Sequence, residues 1–302
     1  MSLSGAKRTW SIAVQMSAFD PKRSRCQETT HGCNLAIIST YGAKMTSIIP
    51  KLFRIYRAAG HEPITGYSPF HFFNVRDVPF TTFLKDMEFW GCPGIALQEI
   101  MFIEHFSDFI SPQRILIIGN AFGWSTVALA LMFPNAKTVA IDPNVLGVNF
   151  TNELIAKNNL PARAIVGRSP EDVAVVVRDH LGGPVDFSLL DGIHTNEAVT
   201  ADFVAIRSVA GDQAFYLFHD VINWNIIGGF KDILAKHNLK GKVFTRTASG
   251  MALAYTSIKP EFEHYLDCFT EPGGLFQALS LHYLAAFADP ISAFRGVDQH
   301  KK

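Results

Sequence analysis

The chain has 302 residues, 48% of them hydrophobic, which is enough to bury the core of one α/β domain with an N-terminal elaboration. Its 27 Lys and Arg are matched by 27 Asp and Glu, so the net charge is zero and no overall field draws it to nucleic acid or an anionic membrane. Four cysteines, at 26, 33, 92 and 268, have no CxxC spacing, which excludes a disulfide framework and implies reduced thiols in a cytoplasmic protein without signal peptide or membrane span.

Residues 1–35 are polar and without period, an irregular arm whose Lys7, Arg8, Lys22, Arg23 and Arg25 form a solvated basic run. Cys26, His31 and Cys33 lack the second pair that a zinc site needs. Residues 36–110 read as a mainly helical cap. Met45, Ile48, Leu52, Ile55 and Tyr56 share a face of a helix over 43–59, which Pro50 kinks or splits and Gly60 stops. Residues 61–93 are rich in aromatics: Tyr67, Phe70, His71, Phe72, Phe73, Phe80, Phe83, Phe89 and Trp90. So aromatic a segment is expected to cover the sheet and to line a substrate cavity. Pro93 is expected to open a helix over 94–109 with a stripe of Leu97, Ile100, Met101 and Phe106, ended by Ser111-Pro112.

From Arg114 the pattern changes. Ile115 to Ile118 form an apolar strand, Gly119 and Gly123 bracket a turn, and Ser125 stands at a helix start ahead of the run 127–133. A second strand, 138–141, ends in Asp142. Strand, glycine turn, helix, strand and acid make the opening β-α-β of a nucleotide-binding sheet. Glycines let backbone approach a ligand closely, free N–H groups at the helix start face it, and an acid at the next strand tip can accept from ribose hydroxyls. Helices over 148–158 and 196–209, and strands over 163–166, 185–190 and 214–218, continue the alternation that argues a parallel sheet. Pro170 is placed at the first position of a helix reaching His180, and a helix over 227–236 closes near Gly241. Strands 243–246 and 251–255 form a final antiparallel hairpin. Residues 261–302 make a C-terminal extension, with a helix over 279–287, that packs on the domain.

The turn Gly119-Asn120-Ala121-Phe122-Gly123-Trp124-Ser125 resembles the first motif of the class I S-adenosylmethionine-dependent methyltransferases, in particular small-molecule O-methyltransferase-like members with G-x-x-x-G-x-S. The resemblance covers about 114–255. It implies a Rossmann-like, mostly parallel seven-stranded sheet with helices on both faces, an antiparallel last strand and a helical aromatic-rich cap, the methyltransferase domain occupying 111–260. It implies S-adenosylmethionine as cofactor, methyl transfer to a small-molecule acceptor, most simply at a hydroxyl oxygen, and a cofactor site of Gly119, Asn120, Ala121, Phe122, Gly123, Ser125, Asp142, Pro143, Arg168, Ser169 and Asp191. Ile117 stands where these enzymes commonly have an acid two positions before the first glycine.

Successive strand ends carry polar groups: Asp142, Arg168-Ser169, Asp191 with His194, and His219-Asp220. Asp191, His194, His219 and Asp220 are the catalytic candidates. In catechol-type relatives the corresponding ends bind a divalent metal; His219-Asp220 replaces their Asp-Asn. Asp191, His219 and Asp220 are thus metal candidates for an ion softer than Mg²⁺. Without metal, either histidine would take the acceptor proton, and the imidazole at 219 in place of a hard oxygen tilts the sequence toward that version. Two other readings stay open: a non-catalytic nucleoside-binding or assembly protein on the same fold, and an NAD-dependent oxidoreductase, disfavoured by Ala121 in place of the second glycine of a dinucleotide loop. The sequence leaves homo-oligomerisation open.

Overall fold

A computed structural model describes residues 47–65 and 80–270. The arm at 1–35, Tyr67, Phe70, His71, Phe72 and Phe73 of the aromatic segment, and the expected helix over 279–287 lie outside them. The central feature is a seven-stranded sheet in the order β6-β5-β4-β7-β8-β10-β9, made of β4 (Arg114–Ile118), β5 (Lys137–Asp142), β6 (Ala162–Val166), β7 (Val185–Leu190), β8 (Ala210–Phe218), β9 (Lys240–Val243) and β10 (Ala252–Tyr255). Strands β4 to β8 pair in parallel, and β10 runs antiparallel to both its neighbours.

Each central strand is apolar on both faces, as a sheet covered on both sides must be. Ile115 and Ile117 of β4, Phe187 and Leu189 of β7, and Leu217 of β8 enter one buried cluster with α1 (Ile49–Ala58), α2 (Leu97–Glu104), α3 (Trp124–Met132) and α8 (Pro260–Asp267). Leu116, Ile118, Leu190, Tyr216 and Phe218 enter the other, with α5 (Val173–Val176), α6 (Asn196–Arg207) and α7 (Ile227–His237). The side chain of Ile117 is wholly buried in the first.

Several local expectations are corrected. Pro50 starts α1, where its missing N–H costs nothing, rather than kinking it. Gly60 follows that helix with φ +79°. Between α1 and α2 the chain forms a three-stranded antiparallel sheet, β1 (Glu62–Ile64), β2 (Thr81–Lys85) and β3 (Glu88–Gly94), so Pro93 belongs to an edge strand and opens no helix. Of the expected stripe Ile100 and Phe106 are buried, together with Glu99, Phe102 and Ile103, while Met101 is exposed. Pro170 lies in a turn three residues ahead of α5, and Asn238 in the left-handed region, not Gly241, closes α7. Strand β9 begins at Lys240 and ends at Val243.

The register sets the functional edge. Ile118 pairs with Ile141 on one side and Leu190 on the other, and Leu190 pairs with Phe218. The next residues, Gly119, Asp142, Asp191 and His219, therefore stand in one row at the C-terminal ends of the strands. The chain runs outward from β4 through β5 to β6 and returns to β7, so strand order reverses between β4 and β7, where open α/β sheets bind ligands.

Candidate functional site

Gly119 and Asp191 adjoin at that reversal. Gly119 has φ +91°, and a Cβ there would sit 1.9 Å from the Asp191 carbonyl oxygen, so no other residue lets the two strands approach as they do. Beyond it the turn is laced by Asp142. One carboxylate oxygen accepts from the Asn120 and Ala121 N–H groups at 2.8 and 2.7 Å, and the other from the Asn144 N–H at 2.7 Å. Asn120, nearly fully buried, donates to Thr151 Oγ1 and accepts from Thr126 Oγ1. The acid at the tip of β5 thus organises the glycine turn as well as lying beside it.

A hollow of about 130 Å³ lies over the turn, lined among others by Gly119, Ala121, Ser125, Asp142, Asp191 and His194, with Phe83 from the small sheet. A hollow of about 410 Å³ near Phe109, Asp186 and Phe262 is larger, but it has no cluster of convergent ionisable groups. Asn120 and Phe122 also line the smaller hollow, whereas Gly123, Pro143, Arg168 and Ser169 do not. Gly123 serves packing, since a Cβ would meet Thr151 Oγ1 at 2.5 Å. Pro143 and Arg168 are exposed. Phe122 and Trp124 are buried among aromatic rings: Phe122 and Trp90 have centroids 4.3 Å apart, Tyr56 stacks on Phe83, and the Tyr56 hydroxyl donates to the Phe122 carbonyl at 2.9 Å. The aromatics of the N-terminal segment therefore brace the glycine turn from behind.

The four catalytic candidates come together in a ring of donor atoms. His194 Nε2 lies 3.3 Å from Asp191 Oδ1 and 3.2 Å from Asp220 Oδ2. His219 Nδ1 lies 3.0 Å from the same Asp191 oxygen and 3.5 Å from the same Asp220 oxygen. Asp220 is held with φ +57°, and its N–H donates to Ser249 Oγ. Trp224, 57% exposed on the loop after β8, stacks on the His194 ring with centroids 5.4 Å apart and planes 14° apart. That loop is pinned, with the Trp224 N–H donating to Asp220 and the Asn223 N–H to the Ser249 carbonyl, so the indole is presented by a fixed backbone.

Two residues that the sequence reading missed complete the cluster. Glu99 of α2, with no solvent exposure, places Oε2 at 2.9 Å from His219 Nε2, while its Oε1 accepts from the Ser249 N–H and hydroxyl. The available signal was an acid heading the apolar stripe of Phe102, Ile103 and Phe106. Ser249 had no comparable signal. In the metal-free protein burial works against the His219 proton, but Asp191 and Glu99 outweigh it and hold the imidazolium well above its ordinary range. Burial would raise Asp191, yet His219 and His194 bring it down to about 2. Burial would raise Glu99 too, and His219, Ser249 and the Ala96 N–H overcome it. Both ring nitrogens of His219 face carboxylates, Nδ1 toward Asp191 and Nε2 toward Glu99.

The sequence profile of a family described as a methyltransferase domain matches residues 116–221. No curated protein matches the chain. Similar solved structures include an O-methyltransferase from Bacillus cereus in complex with SAH, at 14% identity over 71% of this chain and 92% of that one, with a TM-score of 0.45. TomG from Streptomyces achromogenes, an O-methyltransferase involved in tomaymycin synthesis and solved with SAM, is 16% identical over 71% and 91%, with a TM-score of 0.45. Cofactor-bound Rv0187 from MTB is 17% identical over 55% and 83%, with a TM-score of 0.46. Likenesses this distant say nothing of the chemistry at the ring, which stands on its own geometry. Glu99, Trp224 and Ser249 lie outside the matched residues.

Proposed function

We propose that this chain, which carries a match to a methyltransferase domain at residues 116–221, is a class I S-adenosylmethionine-dependent methyltransferase that moves a methyl group to a hydroxyl oxygen of a small acceptor beside Asp191, His194, His219 and Asp220. The observation that carries the reading is the juxtaposition of the glycine turn and the donor ring, which meet at Asp191 and His194 along one hollow. The free N–H groups at the start of α3 and the turn 119–122 suit the methionine end of the cofactor, and Asp142 suits its ribose. Arg168 and Ser169, on the tip of β6, are assigned to the adenine edge. The cysteine spacing supports a reducing, cytoplasmic setting.

The ring also fits a divalent cation. The four donor atoms all lie within 4.8 Å of one another, with neighbouring donors 3.0 to 3.5 Å apart, a spacing that lets them share one ion. Two imidazoles and two carboxylates favour Zn²⁺, Mn²⁺ or Fe²⁺ over Mg²⁺. Asp191, His194, His219 and Asp220 would hold it, and an ion with a coordination position beyond these four would polarise the acceptor hydroxyl and ease loss of its proton. Around it the chain's own residues align the acceptor oxygen with the sulfonium methyl, the fixed Trp224 ring bounds the acceptor side, and Phe80, whose ring lies 5.9 Å from that of His219, helps exclude water.

Calorimetry with S-adenosylhomocysteine and with NADH, followed by incubation with labelled S-adenosylmethionine and cell metabolites, tests the proposal. Binding of the former alone, with label entering a small molecule, is expected. Tighter binding of NADH would sink it, and cofactor binding without transfer to any metabolite would favour the non-catalytic reading.

A further inference from the structure

Helix α2 precedes the matched domain, yet Glu99 reaches into the donor ring. All of its contacts are donors: the Ala96 N–H and His219 Nε2, each 2.9 Å from Oε2, and the Ser249 N–H, 2.9 Å from Oε1, together with the Ser249 hydroxyl. A helix-start acid that only capped α2 would need one oxygen and would remain at the surface. Here both oxygens are used and the side chain is wholly buried, which is unfavourable for a carboxylate unless its lone pairs are matched by donors.

An ionised carboxylate only accepts, so the nitrogen of His219 that faces Glu99 must carry hydrogen. In a neutral imidazole that leaves the lone pair on Nδ1, the atom directed at Asp191 and Asp220. We infer that Glu99 is a positioning residue for a divalent-cation site of Asp191, His194, His219 and Asp220, fixing the His219 Nε2–H so that Nδ1 completes the ring. The inference rests on the methyltransfer reading for the purpose of the site, while its geometry comes from Glu99 itself. Ser249 secures the arrangement, because its hydroxyl donates to Glu99 and accepts from the Asp220 N–H, tying the carboxylate to the backbone of a ring member. The segment ahead of the domain is on this account part of the site, and the site is incomplete without α2.

Co²⁺ titration followed by absorption spectroscopy and calorimetry tests this on the full chain. The wild type should bind Co²⁺ with the visible spectrum of a mixed nitrogen and oxygen site. Glu99→Gln keeps side-chain size and should weaken Co²⁺ about 10- to 100-fold, the usual loss for an outer-shell partner, while S-adenosylhomocysteine affinity holds. Ser249→Ala, which removes one donor from the other oxygen but leaves the His219–Glu99 contact in place, should weaken Co²⁺ by a smaller factor than Glu99→Gln, and a loss as large as that of Glu99→Gln overturns the assignment to Glu99. Equal affinity and spectrum in Glu99→Gln, or no Co²⁺ binding by the wild type, overturns the inference. Should Glu99→Gln fail to fold, imidazole ¹H–¹⁵N spectra of the Zn²⁺-loaded wild type decide: hydrogen on Nε2 of His219 supports it, and hydrogen on Nδ1 refutes it. Failure of the wild type to bind S-adenosylhomocysteine would defeat the methyltransfer reading and leave the cation result standing.

Discussion

Asp142 is a residue whose two tasks can be separated. Its carboxylate already accepts three backbone N–H groups, and hydrogen bonds to a charged group contribute about 1.5–3 kcal/mol each. Asp142→Ala should therefore lower the melting temperature and weaken S-adenosylhomocysteine at least about tenfold, because the turn it laces is the turn that would receive the ligand. Unchanged melting with lost affinity would instead make Asp142 a ligand contact alone. Asp191 offers a pH test. Its carboxyl falls from an ordinary 3.8 to about 2 under the influence of His219 and His194 after burial is overcome. A depressed acid stabilises the fold above its unfolded value and loses that contribution as pH falls through about 2, a term of about 2 kcal/mol. His219, raised, has the opposite sign: its contribution is full below its ordinary value of 6.5 and is lost as pH climbs through the raised one. Melting temperature against pH, without metal, should show both limbs, and Asp191→Asn should flatten the acid one. An acid limb as steep in that variant would place the ionisation elsewhere.

The small sheet β1–β2–β3 and helix α1 act as a brace behind the glycine turn. Gly91 lies against the Phe122 ring and Gly94 against Trp124, close enough that an added Cβ would fall 2.8 and 2.9 Å away. Phe83 and Tyr56 are buried against the same indole. Each such ring contributes about 1.5–3 kcal/mol by burial. A fragment beginning at residue 111 leaves Phe122 and Trp124 bare and lacks Glu99, so size-exclusion chromatography should show aggregation rather than a monodisperse domain. A soluble fragment that still binds S-adenosylhomocysteine would mean that the brace is dispensable.

Across the whole molecule the ring gathers four carboxylate and imidazole donors from two strand tips under a third carboxylate from the N-terminal segment. A cation that binds only the folded form stabilises it by about 2.7 kcal/mol at a hundred times its dissociation constant. Removing metal with a chelator should accordingly lower the melting temperature by several degrees and abolish turnover, with Zn²⁺ or Mn²⁺ restoring both. Full turnover in chelator would leave His194 as the base through Nδ1, since its Nε2 faces the carboxylates of Asp191 and Asp220 and carries the hydrogen. No helix among the described residues is long and apolar enough to cross a membrane.

The sequence by itself determined the sheet, because an apolar strand buried on both faces and a polar residue at each tip are written in consecutive positions. Arg114 to Asp142, Val185 to Asp191 and the run into His219 needed no tertiary information, and the convergence of Asp191, His194, His219 and Asp220 follows from parallel strands in register. Only the folded chain decided what those groups do to one another. Glu99 and His219 are 120 residues apart and Glu99 and Ser249 are 150, separations at which local pattern has no reach. The small sheet was equally hidden: its hydrophobic residues read as a cover, but strand pairing between Glu62 and Leu84 or Phe83 and Trp90 is a property of two segments together. Asp142 shows the same limit at close range. Its position at a strand tip is sequence, whereas the three N–H groups that converge on it exist only once the turn has closed.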